Sequence, residues 1–291
     1  MGNILYQITP DSIMLMNCYV IKTKNDKIIV IDGGGVASEN CGYLYKELQK
    51  ISGKEVPEID AWFFSHMHDD HVNEFITIGK DKSKDIIVKN VYFNFASREF
   101  MSKVETGRFA FLYDGLQEAY DRFFGEGAFE KTNGKNIFAG DTVEVDGVKF
   151  EILLTVTDEE IERNINDTSL IFRATIDNQT VMFLGDAFIP EGKRLLEKYG
   201  ESIKSDIVQM AHHGQNGVDK DVYETIAPEL CLWPSPQWVF DNINGNLRTL
   251  EVREWMIDIG VKHHVITGWQ GTQELSFPVD FDSLEVVDIK P

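Results

Sequence analysis

Residues 63–75 read FFSHMHDDHVNEF and place three of the chain's seven histidines, His66, His68 and His71, within six positions, beside Asp69 and Asp70. Neutral imidazole with carboxylate is the donor set of zinc and iron sites. The apolar AWFF just before reads as a strand, and His66 and His68 at its end are two apart, so an extended chain projects both to one side. Asp70 and His71 follow where the chain leaves the strand, ahead of VNEFITIGK, which can begin a helix. The plainer reading is a polar loop with Asp69 or Asp70 capping that helix. Three of seven histidines in one short loop favour a metal.

The other four histidines form two pairs, His212–His213 and His263–His264. DIVQMAHHG again sets histidine at the end of an apolar, β-like run, and VMFLGDA does the same with Asp186, just after Gly185. Three strand ends thus offer His with Asp, Asp, and His, and convergence of such ligands at one sheet edge is what a two-metal site requires. VKHHVITG starts a strand, where His263 and His264 read as edge-strand surface residues. Gly33–Gly35 carry no following Lys-Ser/Thr, so a strand-ending turn accounts for them better than a phosphate cradle.

HMHDDH fits the H-x-H-x-D-H signature of the metallo-β-lactamase-fold hydrolases, and this resemblance runs over most of the chain. VIDGG is similar to their early strand-end motif, which implies that Asp32 lies beneath the metals. FLGDA is similar to the strand that carries their bridging aspartate. A closer resemblance is to the hydrolase domain of the ComEC competence proteins, through NDTSLIF (166–172), FLGDA (183–187), MAHHG (210–214) and TGWQGTQEL near the end. The implied fold is α/β, a four-layer αββα sandwich of two mixed sheets covered by helices.

The resemblance also implies a ligand set. One metal would be held by His66, His68 and bridging Asp186, the other by Asp70, His71, Asp186 and His212. His212 is chosen over His213 because it comes first at the strand end; His213 would then face substrate as hydrogen-bond donor or acid. Typical members supply a third histidine to the first metal, yet this chain has none between His71 and His212. Asp167 or Asn166 would replace it, unless the pair is only a turn before a strand. Two divalent ions are expected, zinc first, with manganese or iron as alternatives, since a carboxylate hardens the first site.

The elements that must hold these residues read as follows. SIMLMNCYVIKT and KIIVID form a hairpin about the turn KNDK, and ENCGYLYKELQKIS is helical. DIIVKNVYFN, DTVEVDGVKFEILLT, TSLIFRATID, QTVMFLGD, DIVQMAHHG, PELCLW and HHVITG are strands, while IPEGKRLLEKYG and TLEVREWMIDIG are helices. In residues 97–131, Phe and Tyr recur near helical spacing; by the resemblance this is a helical insertion over the active-site face of a single domain spanning 1–291. Phe100, Phe109, Phe111, Tyr113, Tyr120, Phe123 and Phe124 could wall a pocket there, though such stripes are more often core. Trp233 and Trp238 stand near the other rim under the same reservation.

A hydrophobic content of 43% supports a sizeable core. Net charge is −20, from 48 acidic and 28 basic residues. Such a surface repels phosphate backbones, so nucleic acid is not an expected partner. The start of the chain lacks a basic region before its apolar residues and reads as first strands rather than a signal peptide, and no run is long enough to span a membrane. Cys18, Cys41 and Cys231, widely spaced and without CxxC, read as buried free thiols of a reducing compartment, so the cytoplasm is expected. The expected activity is metal-dependent hydrolysis of a small-molecule substrate by a hydroxide bridging the metals, with Asp70 orienting it. A small phosphoester leads; a lactone, a thioester or a nuclease-like phosphodiester are alternatives. The other classes are a di-iron redox protein and a metal-binding protein without turnover. Known di-iron members tend to carry glutamate where this chain has His68.

Overall fold

The computed structural model describes residues 2–10, 12–35, 42–155 and 164–290. Two sheets dominate it. In the first, strands Gln273–Ser276, Ile4–Gln7, Cys18–Lys22, Ile28–Asp32, Ala61–Phe63 and Val91–Tyr92 lie side by side. In the second the order is His263–Ile266, Leu230–Trp233, Ile207–Gln209, Gln179–Phe183, Ile171–Ile176, Val148–Leu154 and Thr142–Val145. Both are mixed. Ile28–Asp32, Ala61–Phe63 and Val91–Tyr92 run parallel, as do the four strands from Gln179–Phe183 to His263–Ile266.

Three hydrophobic cores separate four layers, and strand alternation builds them. Tyr19, Ile21, Ile29, Ile31 and Phe63 face the second sheet and meet Phe150, Ile152, Phe172 and Phe183. Phe63 stacks on Phe150 with centroids 4.4 Å apart, a cross-sheet contact worth about 1 kcal/mol beyond its area. Their neighbours Val20, Ile28, Val30 and Trp62 face the other way, onto helices Gly42–Ser52, Asp69–Lys82 and Ala110–Phe124. On the far side, Met182, Val208 and Cys231 pack against helices Ile189–Tyr199, Lys220–Ile226 and Thr249–Ile259. Central strands are therefore apolar on both faces, as in IIVID and CYVIK.

Most expected elements appear, including the hairpin about KNDK and the helices at 189–199 and 249–259. DIIVKNVYFN differs: it yields two short strands, Ile87–Val88 in a two-stranded sheet with Glu58–Ile59, and Val91–Tyr92 at the edge of the first sheet. The polar Lys89-Asn90 step between them lets the chain change sheets. The aromatic stretch forms helices Arg98–Lys103, Ala110–Phe124 and Ala128–Thr132. Tyr113, Tyr120, Phe123 and Phe124 pack on the first core, Phe111 is exposed, and Phe109 turns toward the cleft described below. Trp233 is likewise core rather than rim, wholly buried beneath helix Thr249–Ile259. Cys18 and Cys231 are buried free thiols; Cys41 lies outside the described residues. Among the described residues no helix is long and apolar enough to cross a membrane.

Candidate metal centre

Ala61–Phe63, Gln179–Phe183 and Ile207–Gln209 each end in a loop that carries the residues singled out by type, and parallel strands leave such residues at their carboxyl ends. Asp70, His71, Asp186 and His213 each bring one donor atom within 4.8 Å of the others, and His66, His68 and Asp186 do the same. Asp186 belongs to both groups, so the buried cluster can hold a dinuclear metal site. The chemistry of the donors, imidazole nitrogens and carboxylate oxygens, fits zinc, iron or manganese.

Backbone strain and a polar floor set this geometry. Asp32 ends its strand with φ at +54° and is wholly buried. Its carboxylate accepts Asn17 Nδ2 at 2.7 Å, Ser65 N at 2.7 Å and Ser65 Oγ at 2.8 Å, tying the end of one strand to the histidine loop of the next. Gly34 follows because a Cβ there would stand 2.1 Å from Asp69 O and 2.4 Å from His71 N. Gln209 fixes the Asp186 loop: its Oε1 accepts the backbone N–H of Leu184 and Gly185, and its Nε2 donates to Gly185 O. Ser169 Oγ accepts Asp186 N at 3.1 Å.

Outer contacts set the tautomers. His71 Nδ1–H donates to Asp32 Oδ2 at 2.9 Å, leaving Nε2 3.3 Å from Asp186 Oδ1. His66 Nδ1 rests on Ser65 Oγ at 3.1 Å, and its Nε2 faces His68 Nδ1 at 3.1 Å. His213 Nδ1–H donates to Pro234 O at 2.7 Å, and its Nε2 lies 2.8 Å from Asp70 Oδ2. Such outer partners orient ligand imidazoles and raise their basicity. Burial opposes charge on His71 and His213, but Asp186 and its neighbouring aspartates outweigh it and hold both above the usual imidazole range. Burial likewise opposes charge on Asp70 and Asp186; His71 and His213 prevail and hold both carboxyls low. His66 is pushed well down by burial and by the charge of His71. Buried imidazoles thus face buried carboxylates, a pairing of charge that a divalent cation would take over.

In three places the geometry departs from the expected grouping. Of the HisHis pair, it is His213 that groups with Asp70, His71 and Asp186, whereas His212 lines the cleft, its Nε2 3.4 Å from Asn166 Nδ2 and 4.0 Å from Asp186 Oδ2. Both residues have left-handed backbone, φ +49° and +58°, so the chain curls as it leaves the strand and the second ring is the one turned inward. Both nitrogens of His213 are engaged and the residue is wholly buried.

Asp167 joins neither group. It forms a reciprocal capping box with Asn164 on the 3-10 turn Ile165–Thr168, and its other neighbour is buried Glu191. Asn166 is the member of that pair on the cleft, with a buried Oδ1 that has no hydrogen-bond partner. Neither Asp69 nor Asp70 caps the following helix either: His68 occupies the N-cap position without a side-chain cap, and the two aspartates stand in the first turn.

Above the cluster opens a cleft of about 310 Å³, walled by His68, Glu105, Arg108, Phe109, Asn166 and His212 among others, with Trp238 on one rim. Trp238 Nε1 donates to Ile13 O at 2.7 Å. Glu105 and Arg108 were not legible as site features, because no motif marks them; Asn166 was legible only as an alternative to Asp167. His264 is buried at the base of Trp233, which donates to its Nδ1 at 3.1 Å, and burial pushes its pKa down to about 4. His263 alone of that pair is a partly exposed edge residue.

In structure the chain is similar to YhfI, a metallo-beta-lactamase fold protein from Bacillus subtilis, with a TM-score of 0.52 and 12% identity over 94% of this chain and 100% of that one. It is also similar to CmlA, a diiron beta-hydroxylase from Streptomyces venezuelae, with a TM-score of 0.57 and 11% identity over 95% of this chain and 54% of that one. At such identities the likeness speaks for the fold. No curated protein matches the chain by sequence. The model of the Metallo-beta-lactamase superfamily matches residues 15–228. With that match, the αββα layering and a histidine–aspartate cluster at the strand ends, the chain belongs to the metallo-β-lactamase superfamily.

Proposed function

We propose that this protein is a metal-dependent hydrolase acting on a small phosphoester, with His66, His68 and Asp186 as ligands of one cation and Asp70, His71, Asp186 and His213 as ligands of a second. The observation that carries the reading is the sharing of Asp186 between two donor groups on the floor of an open cleft. Two bound cations would lower the pKa of water toward neutrality and polarise the bond under attack. The chain's own residues supply the rest. Asp70, buried and held ionised, would orient the attacking water. His212 and Asn166, side by side on the cleft wall, would donate hydrogen bonds to substrate oxygens. Burial and the neighbouring His213 keep His212 below its usual pKa despite Asp186, so near neutral pH it is uncharged and acts by hydrogen bonding.

A cleft of this size fits a small ester better than a polymer, and the net charge of −20 repels polynucleotides. Arg108 offers the cleft a cation for an anionic group. The NDTSLIF, FLGDA and MAHHG stretches support placement near the ComEC-like hydrolases, and with it phosphoester chemistry. Chromogenic phosphomonoester, phosphodiester, lactone and thioester substrates, assayed on protein reconstituted with zinc, manganese or iron, test the proposal. Turnover of the phosphoesters above the others is expected; turnover of only a lactone or thioester would reassign the substrate. The fold shared with diiron CmlA, together with a carboxylate beside His68, favours one second reading, a di-iron redox protein. Oxygen uptake by the iron-loaded protein, without hydrolysis of any ester, would select it.

A further inference from the structure

Each ring in the two donor groups has an inner nitrogen, turned toward the other donors, and an outer one. The outer nitrogens of His71, His66 and His213 are anchored on Asp32, Ser65 and the Pro234 carbonyl. His68 differs in using Nδ1 as its inner atom, since that is the one 3.1 Å from His66 Nε2. Its Nε2 is therefore the outer atom; it is buried, makes no hydrogen bond in this structure, and faces Glu105 Oε1 at 3.5 Å.

Glu105 sits between helices Arg98–Lys103 and Ala110–Phe124, and its placement is built rather than incidental. It, Thr106 and Gly107 all have left-handed backbone, φ +48°, +62° and +71°. Two consecutive non-glycine residues in that region cost energy, and such conformations persist where surrounding structure imposes them. The same Oε1 accepts Ile165 N at 3.2 Å, which pins the carboxylate to the turn that carries Asn166. Phe109, four residues on, lays its ring 4.7 Å from that of His68.

We propose that Glu105 is a positioning residue for the first metal: its carboxylate takes the Nε2–H of His68 and so presents the Nδ1 lone pair of that ring to the cation. The inference rests on the two-metal reading above. It assigns the helical segment a part in the metal centre, because the segment reaches the centre through a carboxylate that acts on a ligand.

Competitive metal titration of wild type, Glu105→Ala and Glu105→Gln tests this. Glu105→Ala should weaken the first site by on the order of 10–100-fold and leave the second unchanged, as loss of such partners does elsewhere. Glu105→Gln keeps an oxygen that can accept the N–H and should recover most of that loss. Equal weakening in both variants would overturn the positioning role in favour of direct ligation, and wild-type affinity in both would overturn it outright. Should Glu105→Ala fail to fold, nitrogen-15 spectra of histidine-labelled, metal-loaded wild type decide: His68 protonated at Nε2 is required, and protonation at Nδ1 contradicts the proposal. Wild-type protein that takes up no metal would sink the two-metal reading itself, whereas two bound ions with unaffected variants would sink only the role of Glu105.

Discussion

His212 and His213 are adjacent and identical in type, and one backbone turn sends them to different places. His213 is buried between Asp70 and the Pro234 carbonyl, while His212 stands on the cleft against Asn166. His213→Ala should therefore lose the second metal, whereas His212→Ala should keep both metals and lose activity by 10-fold or more, on the order expected for a group that assists proton or charge movement. Elemental analysis with steady-state kinetics separates the two; metal loss in His212→Ala instead would reverse the assignment. Sequence could not make this choice, because period-two alternation stops at the strand end and both residues turn left-handed. Asp167 reads from sequence as a ligand or as part of a turn; in the structure it closes a capping box with Asn164, and the proposed centre does not use it. Asp167 also bears on Glu191, whose carboxyl is pushed up to about 8 by burial and by the Asp167 charge. Folded protein holds this proton where the unfolded chain releases it near pH 4.5, so the contribution is full below about 4.5 and is lost as pH rises through about 8. Stability should fall across that window with a slope of at most about 1.4 kcal/mol per pH unit from this group. Glu191→Gln, a permanent mimic of the neutral acid, should flatten the slope in denaturant titrations between pH 5 and 9; an unchanged slope would mean that Glu191 is ionised.

Turns at the ends of strands and the first turn of helix Asp69–Lys82 place the donors, and their construction explains what could be read in advance. The strand from Ala61, the loop after Phe183 and the turn after Gln209 were visible as apolar runs that stop at His or Asp. The lock between them was not: Gln209 holding the backbone of Leu184 and Gly185 is a contact between separate strands that no local pattern announces. Gly34 was legible only as part of a turn, yet its lack of a side chain is what lets the strand end touch the Asp69–His71 backbone. Gly34→Ala should force the histidine loop outward, cost about 1–3 kcal/mol as overpacking does, and weaken binding of metals to the His66–His71 loop. Thermal unfolding of the metal-free protein, followed by metal titration, checks both halves. A variant as stable and as tight as wild type would show that the loop yields without loss. The helices at 98–132 were legible by their aromatic period, but not that Glu105, in the break between two of them, reaches His68.

At the scale of the molecule, three apolar cores hold two sheets and their helices around a floor of buried charge. The layering followed from strands apolar on both faces alternating with amphipathic helices. The centre itself is a poor source of stability, since its carboxylates and imidazoles are desolvated and mutually compensating. The two-metal reading therefore depends on whether cations belong there. The most direct test is the metal content of the protein prepared without chelator and after reconstitution, measured beside Asp186→Ala. Two transition-metal ions per chain are predicted for wild type. Asp186→Ala, which removes the one carboxylate shared by both donor groups, should lose at least one ion while its three cores keep it folded. No metal above background in reconstituted wild type, or full wild-type occupancy in Asp186→Ala, would contradict the two-metal centre.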